Sequence, residues 1–339
     1  MKDYRDYSLL RHNTFGIDAR CRRFIELSSV SEARRLPELL QPEDRPLLVI
    51  GGGSNLLLTR DFPGTVIRSA ILGMETATAP DGDSVLLRAG SGETWDDVVQ
   101  YCVEQGWHGA ENLSLIPGDV GATAVQNIGA YGAEVSYIIN NVEAVEIATG
   151  REVTIPAADC GYGYRQSRFK TEWRGRYLIT HVTYRLSRNF MPQLDYGNLR
   201  EVLSRRGIAS PSAQELRQTV IAIRRDKLPD PQEEGNAGSF FVNPVVSADI
   251  YRHLKERFPQ MPHYSLDDDR EKIPAGWLIE QCGWKGRSLG RAGVHSRQAL
   301  VLVNRGGAAG ADIVALCETI RKDVRQKFGI EILPEVNIV

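Results

Sequence analysis

Two glycine-rich segments constrain this chain more than any other sequence feature. The first follows a short apolar strand and reads Gly51-Gly52-Gly53-Ser54-Asn55, which offers consecutive backbone N–H groups and two side-chain donors. Such groups suit the oxygens of a diphosphate, because successive N–H groups can converge on one anion. A tight turn between two strands is an equally compatible interpretation of this spacing.

Two familiar nucleotide-binding motifs are excluded at this loop. A dinucleotide fingerprint that starts at Gly51 requires glycine at the position of Leu56. A P-loop requires Gly-Lys-Ser/Thr after the glycines, and the segment lacks it.

The second segment, residues 116–132, contains four glycines in 17 residues and a single charged side chain, Asp119. This composition permits close backbone approach to a flat or phosphorylated ligand, because glycine carries no Cβ. A purely structural glycine-rich loop is the alternative. Two such segments in one chain favour a nucleotide cofactor more strongly than either segment alone.

Hydrophobic periodicity predicts alternating strands and helices over the first part of the chain. Residues 47–50 form a short apolar run typical of a strand. Ser31 is predicted to cap a short helix that Pro37 interrupts, since serine is a favoured N-cap and proline breaks helices. Thr94 followed by Asp97 predicts a capping box for a helix over residues 95–105.

The clearest helix pattern covers residues 312–328, where six apolar side chains share one face and Gly329 provides a stop. Residues 228–235 are rich in proline and acidic residues and end in glycine. Because proline and glycine interrupt regular structure, this stretch is the best predicted domain boundary.

Composition excludes several classes of protein. Lysine and arginine number 41 against 43 aspartate and glutamate, and the resulting charge of −2 gives no support to nucleic-acid or anionic-membrane binding. No apolar run approaches the roughly 20 residues of a membrane helix, and the charged N-terminal residues do not resemble a signal peptide. The five scattered cysteines and six histidines lack ligand spacing, so we expect reduced thiols, a cytoplasmic location and no metal.

Three further residues stand in patterns that carry chemistry. Arg165 lies among aromatic residues and other cations, which suits a carboxylate or phosphate clamp, although a solvated basic strand end gives the same pattern. Ser239 lies between two glycines and two aromatic residues, as a proton donor or as the N-cap of a turn. Glu335 stands in a short apolar terminal segment, as a candidate acid or as an ordinary edge-strand glutamate.

Taken together, these segments resemble one family, the UDP-N-acetylenolpyruvoylglucosamine reductases. The resemblance extends from the N-terminal region to the last residues, in the same order as in the family. It is carried by residues 12–16, 51–55, 115–132, 163–167, 227–231, 235–246, 275–282, 295–303 and 334–336.

The resemblance implies an α+β chain with a vanillyl-alcohol-oxidase-like (PCMH-type) FAD-binding fold in two lobes plus a C-terminal α+β substrate-binding domain. We place the lobes at residues 1–72 and 73–228 and the C-terminal domain at 229–339, with the last residues packing back on the first lobe. The implied reaction is NADPH-dependent reduction, through non-covalent FAD, of UDP-N-acetyl-3-O-(1-carboxyvinyl)glucosamine to UDP-N-acetylmuramate. The implied setting is peptidoglycan synthesis, with effects on cell shape and division, by a cytoplasmic monomer whose partners are the UDP-sugar and NADPH.

The resemblance also assigns roles to individual residues. Arg165 and Glu335 would flank the enolpyruvyl carboxylate, and Ser239 would face the carbon that is protonated. The residues implied to bind FAD are Gly51, Gly52, Gly53, Ser54, Asn55, Ile116, Pro117, Gly118, Thr123, Asn127, Gly129, Ala130 and Arg224. The residues implied to contact the substrate are Tyr131, Tyr164, Tyr196, Lys227, Asn243 and Gln298. Tyr196 lies in residues 195–199, which look like the aromatic loop of the longer subtype that folds over the substrate.

This sequence departs from the family pattern at three positions. Gly52 stands where a relative often has glutamate, and Ala122 stands where serine is common, so one phosphate hydrogen bond loses its hydroxyl. Asn337 stands where a close relative has arginine, which alters an expected flavin contact near the end of the chain.

Two rival functions share some of these features. A flavin oxidase or dehydrogenase of the same fold would often carry a covalent histidine or tyrosine link to the flavin. A non-catalytic UDP-sugar or nucleotide-binding protein could retain the scaffold without the reaction. The presence of Arg165, Ser239 and Glu335 favours the reductase over such a decayed enzyme.

Overall fold

The structure, a computed structural model, describes residues 1–339 and combines strands and helices along the whole chain. The strands are β1 Lys2–Ser8, β2 Arg20–Leu27, β3 Leu47–Ile50, β4 Leu56–Leu57, β5 Phe62–Ser69, β6 Met74–Thr78, β7 Ser84–Gly90, β8 Gly129–Ala130, β9 Ala133–Glu134, β10 Ile139–Glu146, β11 Glu152–Pro156, β12 Tyr177–Ser187, β13 Asn236–Ser239, β14 Val245–Ser247, β15 Tyr264–Ser265, β16 Arg270–Lys272, β17 Ser288–Leu289, β18 Ala292–Val294, β19 Val301–Asn304 and β20 Asn337–Ile338. The α-helices are α1 Val30–Arg34, α2 Leu36–Leu39, α3 Trp95–Glu104, α4 Val120–Gln126, α5 Leu199–Arg205, α6 Ala213–Lys227, α7 Ala248–Arg257, α8 Ala275–Gln281 and α9 Gly310–Phe328. Short 3-10 helices cover Leu10–His12, Pro42–Asp44, Glu111–Leu113, Val135–Tyr137, Ala157–Cys160 and Arg168–Lys170.

The chain forms two compact units, each built from separated stretches of sequence. The first unit comprises Met1–Tyr7, Cys21–Gly52 and Pro63–Asp226, and the second comprises Ser8–Arg20, Gly53–Phe62 and Lys227–Val339. The division differs from the predicted lobes, because most of residues 1–72 and 73–228 fall together in the first unit. Residues 53–62 belong to the second unit, where β4 pairs in parallel with β20.

The first unit contains two sheets. One has the strand order β1-β2-β5-β3, and its parallel strands β3 and β5 place Ile50 opposite Arg68. The other is antiparallel with the order β11-β10-β12-β7-β6. The glycine loop leaves the first sheet at the carboxyl end of β3, one residue beyond Ile50.

Helices α3 and α4 build the main core of the first unit against the antiparallel sheet. The Trp95 and Tyr184 rings lie 5.3 Å apart within a cluster that also contains Val99 of α3 and Ala124 of α4. Trp95 and Tyr184 are almost completely buried, each with about 1% of its surface exposed to solvent. This packing fixes α4, and therefore the glycine-rich segment on either side of it.

The second unit contains a sheet of order β13-β19-β18-β17, a small sheet of order β14-β16-β15, and the β20-β4 pair. Helix α9 packs on β18 and β19 and against α8. Its buried face is the predicted one, formed by Ile313, Leu316, Cys317, Ile320, Val324 and Phe328. Gly329 ends the helix with a φ of +70°, a conformation that glycine adopts without strain.

Two of the predicted helix caps are wrong. The first short helix is capped by Ser29, whose Oγ accepts from the N–H of Glu32, and Ser31 lies inside it. Pro37 does not interrupt a helix but occupies the first turn of α2, where backbone N–H groups have no partner within the helix and the N–H that proline lacks is not needed. Thr94 stands at the N-cap position of α3 but makes no side-chain cap, so the predicted capping box does not form.

No helix of the fold combines the length and the apolar character that spanning a lipid bilayer requires.

Candidate functional site

The glycine loop begins in the first unit, against the residues that start α4. A Cβ built on Gly51 would lie 3.3 Å from the Cβ of Ala122, and one on Gly52 would lie 3.1 Å from Oδ1 of Asp119 and 3.3 Å from Cα of Gly118. Even a methyl group would therefore crowd both positions. The glycines bring bare backbone against the 118–122 segment, and the predicted contact of Gly51 and Gly52 with a diphosphate stays a prediction.

Asp119 places a carboxylate directly beside this loop. Its side chain is 11% exposed, and burial raises the pKa of its carboxyl while Arg68, 3.5 Å away, opposes that shift. Arg68 also binds Glu26, at 2.9 Å. The half-buried guanidinium of Arg68 and the carboxyl of Asp119 therefore lie beside the loop. Burial disfavours the charged form of Asp119.

The remainder of the loop, Gly53–Asn55, belongs to the second unit. Gly53 has a φ of +69°, and a Cβ there would lie 2.0 Å from the carbonyl oxygen of His12, so only glycine fits. The carbonyl of Asn55 accepts from both the backbone N–H and the Nδ2 of Asn337, each at 3.1 Å. Asn337, the position that departs from the family pattern, thus holds the end of the glycine loop.

The first backbone N–H groups of α4 donate to carbonyls of residues 91–93. The N–H of Val120 donates to the carbonyl of Glu93, and that of Gly121 donates to Ser91. The hydroxyl of Thr123 is 2.7 Å from the carbonyl of Val120 and 2.9 Å from the hydroxyl of Tyr184. Thr123 is also only 2% exposed, so the structure places it in the core behind the helix, and its predicted FAD contact stays a prediction.

Arg165 lies against the chain that follows α4. Its guanidinium donates to the carbonyl of Asn127 at 3.3 Å and to the carbonyl of Gly129. A Cβ on Gly129 would lie 2.8 Å from Nη1 of Arg165 and 2.8 Å from the carbonyl oxygen of Ala133. The structure therefore brings together three predicted site residues, and Gly129 is the residue that lets the guanidinium approach the backbone.

Asn127 anchors this region from within. It is completely buried, ends α4 with a φ of +45°, and donates from Nδ2 to Glu134 and to the carbonyl of Gly163, both at 2.8 Å. Its Oδ1 accepts from the N–H of Ser136 at 3.1 Å. Its backbone N–H donates to the carbonyl of Thr123 and its carbonyl accepts from Arg165, so the predicted FAD contact at this position stays a prediction.

A partly buried ion pair, which the sequence did not reveal, supports Leu115, the residue before Ile116. Asp96 accepts from the N–H of Leu115 at 2.5 Å and from Arg217 at 2.7 and 3.1 Å. On the other side of the same residue, Nε of Arg224 donates to the carbonyl of Leu115 at 3.2 Å. Leu115 has a φ of +57°, which side chains rarely adopt, so these bonds hold a strained residue immediately before Ile116.

Electrostatic shifts mark the same region. Burial raises the pKa of the Tyr131 hydroxyl, against the influence of Arg224, and burial lowers the pKa of the Arg224 guanidinium. Burial would also raise the pKa of the Asp96 carboxyl, but the hydrogen bonds from Arg217 and Leu115 outweigh it and the pKa is lowered. Asp96 therefore remains the counter-charge of the two arginines.

The predicted substrate tyrosines of the first unit lie at the surface or beside glycine. Tyr164 is 39% exposed, and the guanidinium of Arg165 lies 5.3 Å from its ring centroid. The Cβ of Tyr196 lies 3.1 Å from the position that a Cβ on Gly132 would take, so Tyr196 packs directly on the turn that follows Tyr131. The structure thus joins the Tyr196 segment to the glycine-rich segment.

In the second unit, Ser239 and Glu335 lie on neighbouring extended segments. The N–H of Glu335 donates to the carbonyl of Phe240 at 2.8 Å, and Phe241 pairs with Pro334. Ser239 is exposed and Glu335 is half-buried. These two predicted catalytic residues, nearly a hundred positions apart in sequence, are therefore adjacent in the fold.

The other predicted substrate residues of the second unit gather at the first turn of α8. Oδ1 of Asn243 accepts from the N–H of Ala275 at 2.9 Å. Oε1 of Gln298 lies 3.2 Å from where a Cβ on Gly276 would stand. Lys227 is the last residue of α6 and is exposed.

The geometry fits a flavin dinucleotide. Gly51, Gly52 and Gly53 supply consecutive backbone N–H groups of the kind that bind a diphosphate, and arginine side chains stand nearby in the sequence segments of the site at Arg68, Arg165 and Arg224. The domain family described as "FAD binding domain" matches residues 22–155. The fold and this match define the class: the chain is an FAD-dependent oxidoreductase.

Relatives identify the family within that class. The domain family described as "UDP-N-acetylenolpyruvoylglucosamine reductase, C-terminal domain" matches residues 230–339. The UDP-N-acetylenolpyruvoylglucosamine reductase of Bacteroides fragilis is 52% identical over 98% of this chain and 99% of its own length. That of Burkholderia ambifaria is 48% identical over 97% of this chain and 95% of its own length. The chain belongs to the UDP-N-acetylenolpyruvoylglucosamine reductase family, as the sequence resemblance predicted.

The overall fold agrees with that assignment. A crystal structure of UDP-N-acetylenolpyruvylglucosamine reductase from Thermus caldophilus matches 99% of this chain and 98% of its own, with a TM-score of 0.68 and 21% identity. The predicted fold class, a vanillyl-alcohol-oxidase-like FAD-binding fold plus a C-terminal α+β domain, is confirmed.

Proposed function

We propose that this chain reduces UDP-N-acetyl-3-O-(1-carboxyvinyl)glucosamine to UDP-N-acetylmuramate, with NADPH as the electron source and FAD bound non-covalently. The observation that carries the proposal is the near full-length identity to reductases of that name, at 52% and 48%. We further propose that it belongs to the longer subtype, acts as a cytoplasmic monomer and serves peptidoglycan synthesis, cell shape and division. A nucleotide-sugar substrate supports the cytoplasmic assignment.

Bound FAD would supply hydride transfer between NADPH and the vinyl carbon of the substrate. A proton from a protein group must reach the adjacent carbon, so that two hydrogens add across the double bond and NADP⁺ is the other product. The chain must therefore hold the cofactor, stabilise negative charge at the substrate carboxylate, and supply the proton.

Holding the cofactor falls to the glycine-rich segments. Gly51 to Asn55 would face the diphosphate, and residues 116–118 with residues 127–130 would approach the flavin. The Asp96–Arg217 pair and Arg224 support this role, because they fix the backbone that leads into Ile116.

Charge stabilisation falls to Arg165. Its guanidinium is already oriented by two backbone carbonyls, so little reorganisation is needed when negative charge develops on the substrate. Lys170 supports the same residue, because its Nζ donates to the carbonyl of Arg165 at 3.0 Å.

Proton delivery falls to Ser239, with Glu335 on the neighbouring segment. The backbone pairing of Glu335 with Phe240 supports a joint role, because it fixes the carboxyl group and the hydroxyl on adjacent stretches of one sheet region. Serine is a weak acid in water, so its alkoxide requires stabilisation within the site.

The visible spectrum of the purified protein tests the proposal directly. The protein should be yellow, NADPH should bleach it without oxygen, and the UDP-enolpyruvyl sugar should restore the colour and gain two hydrogens in its mass spectrum. Flavin that remains with the acid precipitate would indicate a covalent oxidase instead. Bleaching by NADPH with no recovery on addition of the UDP-sugar would contradict the proposed substrate.

A further inference from the structure

Asn112 is a buried polar residue of the first unit, with 4% of its surface exposed. It lies in the short helix Glu111–Leu113. Its side-chain amide donates to the carbonyl of Tyr131 at 2.8 Å and to the carbonyl of Gln193 at 3.0 Å. A carboxamide nitrogen has two N–H donors, so both are used, on two segments that are far apart in sequence.

The first of these segments is a tight hairpin. Strands β8 and β9 pair Ala130 with Ala133, so Tyr131 and Gly132 are the two turn residues. Both have positive φ, +47° and +82°, as a type I′ turn requires. Tyrosine is strained in this conformation, and the bond from Asn112 holds its carbonyl in place.

The second segment leads into Tyr196. Gln193 is held by Asn112, and three residues later Tyr196 packs on Gly132 with the close approach already described. Leu194 also packs on the apolar cluster that contains Leu199 and Val220, and Tyr131 packs on the same cluster. Two links therefore join the Tyr131 turn to the Tyr196 segment. One is the Asn112 amide, and the other is the contact of Tyr196 with Gly132.

We infer that Asn112 is a positioning residue for the UDP-sugar: its amide fixes the distance and orientation between the Tyr131 turn and the Tyr196 segment. The inference rests on the proposed function, in which both tyrosines contact the substrate. Asn112 need not touch the substrate, since its two N–H groups are already bound to protein carbonyls. An aspartate or alanine at this position would release the carbonyls of both Tyr131 and Gln193, while the Asp96, Arg217 and Arg224 contacts to Leu115 would remain.

The test is a double-mutant cycle on the oxidised holoenzyme, titrated with the UDP-enolpyruvyl sugar by flavin absorbance. Asn112→Ala should raise the Kd by roughly 5- to 30-fold, the loss expected for one or two ordinary hydrogen bonds. Flavin reduction by NADPH should change by less than about twofold, because a positioning role for the substrate segment does not enter that step. In a Tyr196→Ala background the effect of Asn112→Ala should be clearly smaller than in the wild type, because the part that acts through the Tyr196 segment is already lost and only the part through Tyr131 remains.

Asn304→Ala is the matched control. Asn304 also donates to a distant carbonyl, that of Phe15 at 3.0 Å, and accepts two backbone N–H groups, but it lies in the second unit. It should lower stability without raising the Kd of the UDP-sugar. Additive losses in the double mutant, or an equal loss in the NADPH step, would overturn the inference and assign Asn112 to general folding.

Two further measurements cover the remaining outcomes. If Asn112→Ala does not retain FAD, Gly132→Ala attacks the other contact and should raise the same Kd, because its Cβ would crowd Tyr196; an unchanged Kd would overturn the inference. If Tyr196→Ala alone leaves the Kd unchanged, the proposed substrate role of Tyr196 fails. Trypsin cleavage at the exposed Arg188 and Arg200 of the ligand-free enzyme then tests whether Asn112 holds the Tyr196 segment in place. Faster cleavage in Asn112→Ala supports that role, and equal cleavage overturns it.

Discussion

Replacing Asp96 with asparagine removes a negative charge from the centre of the network that holds Leu115. Arg217 is the main partner, and its side chain is only 6% exposed, whereas Asp96 is 25% exposed. Asparagine keeps an oxygen that can accept from the N–H of Leu115, but it leaves the Arg217 guanidinium without a counter-charge. Removing one partner of a buried ion pair lowers the free energy of unfolding by about 3–5 kcal/mol. Asp96 is partly exposed, so we expect the lower end of that range, about 3 kcal/mol.

Asp97 provides the control within the same helical turn. It is exposed, it occupies the same first turn of α3, and it carries the same charge near the same helix N-terminus. Asp97→Asn should cost at most about 0.3–1 kcal/mol, the usual contribution of an acidic residue to a helix N-terminus. The difference between the two variants isolates the Arg217 pair from the helix dipole.

Urea denaturation of the FAD-saturated protein, followed by tryptophan fluorescence and by flavin release, measures both the stability and the local effect. Asp96→Asn should also weaken FAD binding, because Leu115 leads directly into residues 116–118. Equal stabilities for the two variants, or an unchanged affinity for FAD in Asp96→Asn, would refute the claim that this pair supports the cofactor loop.

The pH dependence provides a second check with a defined sign. The folded-state pKa of Asp96 is lowered from 3.8, so its contribution is fully present above about pH 4 and is lost as the pH falls through the folded-state value. The stability gap between wild type and Asp96→Asn should therefore be constant from neutral pH down to about pH 4 and should narrow below it. A gap that stays constant into strong acid would show that the carboxylate charge is not its source.

The remaining predictions concern residues that the sequence identified. Ser239→Ala should leave NADPH-dependent flavin reduction nearly intact and slow reoxidation by the UDP-sugar by roughly 10²–10⁴-fold, measured as separate half-reactions by stopped flow; equal losses in both would make Ser239 structural. Arg165→Lys keeps the charge but loses the planar fork, and Glu335→Gln keeps a donor but cannot transfer a proton. Both should impair the second half-reaction more than substrate binding, and an effect on KM alone would reassign either residue to ground-state binding. Tyr196→Phe should weaken UDP-sugar binding by about 0.5–1.5 kcal/mol, one ordinary hydrogen bond, with a smaller effect on NADPH, and unchanged affinity would remove its hydroxyl from the site.

Secondary structure was predictable wherever a single periodic pattern decided it. Helix α9 is an example, because its apolar face repeats over five turns and a glycine follows it. Helix caps were less predictable, because several candidate residues often stand within one turn. Ser29 and Ser31 are both favoured N-cap residues, and Ser29 is the one that caps α1. Thr94 is also of a favoured type and precedes α3, yet its side chain makes no cap.

The candidate site was predictable where glycine marks a close approach and where the family resemblance assigns a role. Gly51, Gly52 and Gly129 all stand where a Cβ would crowd other atoms. The supporting polar residues were not predictable, because their partners are distant in sequence. Asp96 and Arg217 are 121 positions apart, and Asp96 alone resembles any acidic residue in the first turn of a helix.

Backbone strain connects the predicted ligand-contact residues with the polar residues that support them. Five residues other than glycine have positive φ in this chain: Asp6, Leu115, Asn127, Tyr131 and Arg165. All but Asp6 lie in the segments of the candidate site. Each conformation costs about 1–2 kcal/mol relative to the ordinary region, so it persists only where neighbouring groups fix it.

In each of the four site residues, a side chain from elsewhere donates to the carbonyl of the strained residue. The donors to Leu115, Asn127, Tyr131 and Arg165 are, in that order, Arg224, Arg165, Asn112 and Lys170. Two of the four donors are themselves predicted ligand contacts, so the groups that would meet the cofactor and substrate also hold the backbone in its strained form. A substitution at such a donor changes both charge and backbone at once, which is why Asn112, whose side chain binds only protein carbonyls, offers the cleaner separation of positioning from direct contact.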